Sequence, residues 1–195
     1  MGAKTEGGRL RRIVTNTGPA LHLHEIKMLH LLNLAGEVFI PEAVQAELNS
    51  LIPNWGRIKP EWLKVESLSP SSRRKAEAWV QAGLVDAGEA EAIILAKQLG
   101  ADWLLTDDAA ARLIARSLGL EVHGSLGVVL WAAARRYLSR AEAEAALDRL
   151  FFTSHCGFHH PSLRKLRKPW RGYMRGDRSG RVDKSSFVDL SSLLS

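Results

Sequence analysis

Arg12-Ile13-Val14-Thr15 runs directly into Asn16-Thr17-Gly18-Pro19, a short strand-like apolar run that stops at turn-forming residues. The same grammar repeats outward from it. Glu37-Val38-Phe39-Ile40 is strand-like and ends at Pro41, which suits the first turn of a helix. Trp62-Leu63-Lys64-Val65-Glu66, Trp103-Leu104-Leu105-Thr106 and Glu121-Val122-His123 read as three further strands. The text between them has helical spacing: Leu21 to Leu34, Val44 through Glu47 and Leu48 to Leu51, Ser72 to Ala82, Gly88 to Leu99, and Ala109 to Leu118 closed by Gly119. A Pro/Trp/Gly loop fills 53–60, and two helices, Ser125 to Tyr137 and Arg140 to Leu150, follow the last strand. Strands that alternate with helices predict right-handed crossovers and a parallel sheet covered on both faces. In such a sheet ligands gather at the carboxyl ends of the strands, where Asn16 and Asp107 stand.

Composition bounds what this domain can be. The chain of 195 residues, 46% hydrophobic, is long enough for one well-buried domain and too short for two of ordinary size. Eighteen uncharged apolar residues never run together, and Met1 to Arg12 is polar, so the sequence predicts neither a membrane span nor a secretion signal, and a cytoplasmic location. Cys156 is the single cysteine, which excludes an internal disulfide and a thiolate zinc cluster and reads as a small buried hydrophobe.

The net charge of +6 is unevenly distributed. Residues 1–160 carry 18 basic and 18 acidic side chains, whereas residues 161–195 carry 9 and 3. The reading is therefore an N-terminal extension over 1–11, a domain over 12–160, and a basic, flexible tail over 161–195. Within the tail Arg164, Lys165, Arg167, Lys168 and Arg171 interleave with Trp170 and Tyr173. Clustered cations release counterions from a phosphate backbone and the aromatics stack on unpaired bases, so these residues are candidate nucleic-acid contacts. A solvated extension without a role is the competing reading.

Four positions in the domain carry the chemistry. Glu47 falls on the apolar stripe of its helix, where an unpaired carboxylate would cost several kcal/mol, so a cation or a basic partner must face it. Glu91 is the one charge between Ala90 and Ala96, in a helix apolar nearly all round. Its neighbour Glu89 has another explanation: Asp86-Ala87-Gly88-Glu89 has the spacing of a capping box. Two residues apart on a helix, Glu89 and Glu91 point about 200° apart, so one of them faces the site, and the reading assigns Glu91. Asp107 stands at a strand tip and Asp108 caps the helix from Ala109, although the reverse assignment stays open. Asn16 alone is ordinary turn chemistry and gains weight only in company. His22 and His24 sit two apart and read as core edge and surface, not as a metal pair. His155, His159 and His160 are too weak a cluster to assign. No glycine-rich loop follows the first strand, which argues against a nucleotide-binding domain.

Taken in order, these segments resemble the PIN-domain nucleases, and among them the prokaryotic branch related to VapC-type toxins. The matching text is Ile13-Val14-Thr15-Asn16-Thr17-Gly18-Pro19, then Gly36 to Val44 running to Glu47-Leu48. It continues with Asp86-Ala87-Gly88-Glu89-Ala90-Glu91-Ala92-Ile93, Leu104-Leu105-Thr106-Asp107-Asp108 and Gly124-Ser125-Leu126-Gly127. The resemblance spans about residues 12–160 and implies a three-layer α/β/α sandwich around a parallel sheet. It also implies an acidic pocket holding Mg²⁺ or Mn²⁺ and hydrolysis of RNA by a toxin that an antitoxin neutralises. Carried across, the four acids fall on Asn16, Glu47, Glu91 and Asp107, with Asp108 nearby as a further metal ligand and the Thr17 hydroxyl lining the pocket. RNA, an antitoxin protein and a second copy of the chain are the candidate partners.

Asn16 is the departure from that pattern, an amide where a carboxylate is expected. It opens the alternative of a catalytically weakened PIN-fold module that binds RNA or a partner protein. An acidic pocket repels a phosphate, so basic residues on its rim must help; Arg11, Arg12, Arg112, Arg116 and the tail are candidates among which the sequence does not choose.

Overall fold

A computed structural model describes residues 9–153 of the chain. Its centre is a five-stranded sheet, all parallel, in the order β3-β2-β1-β4-β5, with β1 Arg12–Thr15, β2 Glu37–Ile40, β3 Leu63–Val65, β4 Trp103–Leu105 and β5 Val122–His123. β1 lies in the middle, which is why Ile13 and Val14 are both completely buried.

Successive residues of each strand point to opposite faces and so enter two separate cores. Ile13, Val38, Ile40, Trp103 and Leu105 pack under α1 (Thr17–Glu25), α2 (His30–Ala35), α3 (Glu42–Leu51), α8 (Ser125–Ala134) and α9 (Arg140–Thr153). Val14, Phe39, Leu104 and Val122 pack against α5 (Pro70–Gln81), α6 (Ala87–Leu99) and α7 (Ala109–Ser117). This is the three-layer α/β/α sandwich. The one-turn helix α4 (Trp55–Ile58) lies inside the Pro/Trp/Gly loop and buries Trp55 in the first core.

Two expected helices differ. The single helix expected over Leu21–Leu34 begins earlier and is two helices, α1 and α2. Lys27 adopts left-handed backbone (φ 61°), and its N–H donates to His24 O while Met28 N–H donates to Leu23 O. These two bonds are the Schellman closure usually made with glycine. The apolar positions continue across the break, so periodicity alone does not show it. α8 stops at Ala134, short of Tyr137, by the same device at Arg136 (φ 61°). The residues named in the basic tail, with Cys156, His155, His159 and His160, lie outside the described residues. Among the described residues no helix is long and apolar enough to cross a membrane.

One glycine is required by close approach. At Gly36 a Cβ would collide with the backbone carbonyl of Arg11, the same oxygen that accepts the Glu37 N–H at 2.8 Å and sets the β1–β2 register. A backbone carbonyl held by a ladder bond cannot retreat as a flexible side chain would. Gly36→Ala should therefore destabilise the fold by about 1–3 kcal/mol, measured by chemical denaturation.

Candidate active site

Five helices, α1, α3, α6, α7 and α8, begin at the carboxyl edge of the sheet. Each brings backbone N–H groups without helical partners and the positive end of a helix dipole to that edge, so acceptor side chains are required there on structural grounds alone. The candidate acids meet that requirement and the site is built from them.

Asn16 follows β1 and caps α1: its Oδ1 accepts the Thr17 N–H at 2.7 Å, and it is buried. The Thr17 hydroxyl donates to Glu47 Oε2, so the carboxylate on the stripe of α3 finds a polar partner in place of the basic one expected. Glu47 also presses on the first turn of α6. A Cβ at Gly88 would lie 2.5 Å from Glu47 Oε1, so the carboxylate sits directly against the backbone there and would have to shift for a larger residue.

Asp107, at the tip of β4, is the most constrained acid. Oδ1 accepts the Ser125 N–H at the start of α8 at 2.8 Å, and Oδ2 bonds His22 Nδ1 of α1 at 2.9 Å. Both side chains are about nine-tenths buried. The hydrogen bond to Asp107 raises the His22 pKa, more than offsetting the burial that lowers it. Asp108 takes the cap of α7, accepting Ala111 N–H at 2.7 Å, so the open choice between the two aspartates resolves with Asp107 in the crevice. The Arg112 guanidinium lies close by, its Nε donating to Thr106 O at 3.1 Å.

The structure places the two glutamates differently from that expectation. Glu91 turns away from the crevice: its Oε2 accepts the Ala43 N–H in the first turn of α3 at 3.0 Å. There it borders a shallow depression lined by Ala76, Glu77, Val80, Gln81 and Ala87. Glu89 does complete the capping box, accepting the Asp86 N–H at 3.1 Å. It also faces the other acids. Its pKa is raised, first by burial and then by the carboxylates of Asp108, Asp86 and Glu47. A residue that completes a capping box can thus also lie within electrostatic reach of the other acids. Glu91, in turn, sets its carboxylate on a helix N-terminus.

Carboxylate, amide and hydroxyl oxygens are the donors a hard divalent cation takes. Among the described residues no group of three or more His, Cys, Asp or Glu side chains is arranged to hold a metal ion. The acids fall instead into two groups, Glu47 with Glu89 and Asp107 with His22, each engaged with protein partners.

Comparison with known proteins agrees with the architecture. The model of the DUF3368 family, described as a PIN domain, matches residues 12–162. The chain belongs to the PIN-domain family. Among solved structures this PIN domain is similar to a PilT N-terminus domain protein from the hyperthermophilic archaeon Sulfolobus solfataricus P2. The match has 18% identity, covers 76% of this chain and 99% of the other, and has a TM-score of 0.45. No curated protein matches it significantly.

His22, which the sequence reading assigned to core edge, has a consequence for stability. A histidine whose pKa is raised on folding stabilises the native state fully below its unfolded pKa, about 6.5, and that contribution is lost as pH rises through the folded value. Native stability of the wild type should thus fall as pH climbs from about 6.5 through the raised pKa. In His22→Gln the fall over that window should disappear, read from denaturation midpoints at a series of pH values.

Proposed function

We propose that this PIN domain is a ribonuclease that hydrolyses RNA phosphodiesters at the carboxyl edge of the sheet, with Mg²⁺ or Mn²⁺ as cofactor. The observation that supports this reading most is the set of acids flanking the N-terminus of α1 in a chain of this family: Glu47 on Thr17, Glu89 beside Glu47 and Asp108, and Asp107 against His22. A role as the toxin of a toxin–antitoxin pair belongs to the same proposal, with an antitoxin and a second copy of the chain as partners. The basic residues Arg164, Lys165, Arg167, Lys168 and Arg171, with Trp170, extend the RNA contact in this proposal.

A second reading has an observation of its own. Asn16 takes the place of the first acid, and its oxygen is engaged in capping α1. With Asp107 also doubly engaged, the crevice is nearer to a structural polar network than to an open cation site. That favours a PIN-fold module that binds RNA or protein without cutting it.

Cleavage of a labelled single-stranded RNA at limiting Mn²⁺ separates the two. The nuclease reading expects Asn16→Asp to raise the rate and Asp107→Asn to lower it on the order of 100-fold. Glu89→Gln should lower it similarly and Glu91→Gln should leave it unchanged. A wild type that cuts no RNA at millimolar Mn²⁺, with no rescue by Asn16→Asp, establishes the binding module in its place.

A further inference from the structure

A crevice walled by carboxylates repels the phosphates of RNA unless a cation stands beside them. Four arginines of the domain are candidates in the sequence, and their positions now differ sharply. Arg11 and Arg12 belong to the amino edge. Arg11 covers the Trp103 ring with its guanidinium carbon 3.9 Å from the centroid and donates Nη1 to Ala35 O, while Arg12 donates Nη1 to Leu99 O. The length of β1 separates both from Asn16 and Asp107. Arg116 is exposed, one helical turn beyond Arg112 on α7.

Arg112 is at the carboxyl edge itself. Its Nε is fixed on Thr106 O at 3.1 Å, directly after β4, which orients the guanidinium over the β4–α7 turn. It makes no ion pair with any acid among the described residues, and its two amino groups donate to none of them, although the Asp107 and Asp108 carboxylates are within electrostatic reach. Gly124 marks where they point. A Cβ there would collide with Nη2 of Arg112 and would lie 2.5 Å from Asp107 Oδ1, so the guanidinium and the carboxylate flank one small gap that a side chain at 124 would fill. Half-buried, oriented and unpaired, a guanidinium beside the site acids is a two-pronged donor suited to phosphate oxygens.

We infer that Arg112 is the positioning residue of the crevice: its amino groups take the phosphate oxygens of RNA bound at the carboxyl edge and hold the backbone against Asp107. The inference rests on the reading of that edge as an RNA site.

Its test is binding without chemistry. The affinity of the full-length chain for a fluorescein-labelled single-stranded 12-nucleotide RNA is measured by anisotropy in EDTA between about 50 and 200 mM KCl, where counterion release fixes the slope of log K against log salt. Arg112→Gln should reduce the magnitude of that slope by about 0.7, the value of one single-strand phosphate contact. Arg112→Lys should keep the slope, because it keeps the charge, and Arg12→Gln at the opposite edge should leave both slope and affinity unchanged. Melting temperatures of each variant accompany the titrations, since loss of the bond to Thr106 O alone lowers stability without changing the slope. An Arg112→Gln protein that binds with the wild-type slope overturns the assignment, whatever its melting temperature. A wild type that does not bind the RNA overturns the RNA reading and the assignment with it.

Discussion

The carboxylate of Asp107 ties the carboxyl edge together. One oxygen receives the first N–H of α8 and the other receives His22 from α1, so a single side chain at the end of β4 joins two helices that pack on the same face of the sheet. The chain meets this residue at three close approaches: Gly18 lies against it, Gly124 leaves it room, and Ser125 donates to it. Removing this side chain would leave a buried histidine and a helix N-terminus without their acceptor, and unsatisfied buried polar groups are among the costlier defects in a fold. Any function placed at this edge must work around that tie.

The same constraint explains why acids gather here at all. Five helices point their N-termini at one edge, and Asn16, Glu91, Asp86, Asp107 and Asp108 each serve one of them. The acid-type residues that a metal-ion nuclease needs and those that helix caps need are drawn from one short list and occupy one place. Glu47 and Glu89 stand apart in this respect. Glu47 contacts a hydroxyl, and Glu89 combines its capping bond with burial, and after it nearby carboxylates, that make it harder to ionise.

This overlap also decides what could be read from the sequence. Strand runs such as Val38-Phe39-Ile40 and Leu104-Leu105, and helix starts such as Asp86 and Asp108, carry local signals, and the structure has them where those signals fall. Asp107 was legible because it is the one polar tip of a buried strand left after Asp108 is assigned to the cap. The position of Glu91 was not legible for a physical reason. Glu91 lies in an apolar run, and its partner, the Ala43 N–H at the N-terminus of α3, is distant in sequence. His22 and Arg112 were illegible for a related reason. Nothing near residue 22 encodes residue 107, and nothing beside the four arginines shows which of them reaches the carboxyl edge. The break at Lys27 was hidden because a lysine occupies a left-handed position that sequence rules reserve for glycine.

In the proposed function the crevice between Thr17, Glu47, Glu89 and Asp107 is the site, and Glu91 supports α3. Titration of the ¹⁵N-labelled protein with Mn²⁺, followed as paramagnetic broadening of backbone amides, tests that placement directly. Broadening centred on the amides of Thr17, Gly88 and Asp108 is the predicted result. Broadening centred on Ala76, Gln81 and Ala87, around Glu91, or none above a uniform background at millimolar Mn²⁺, would contradict it.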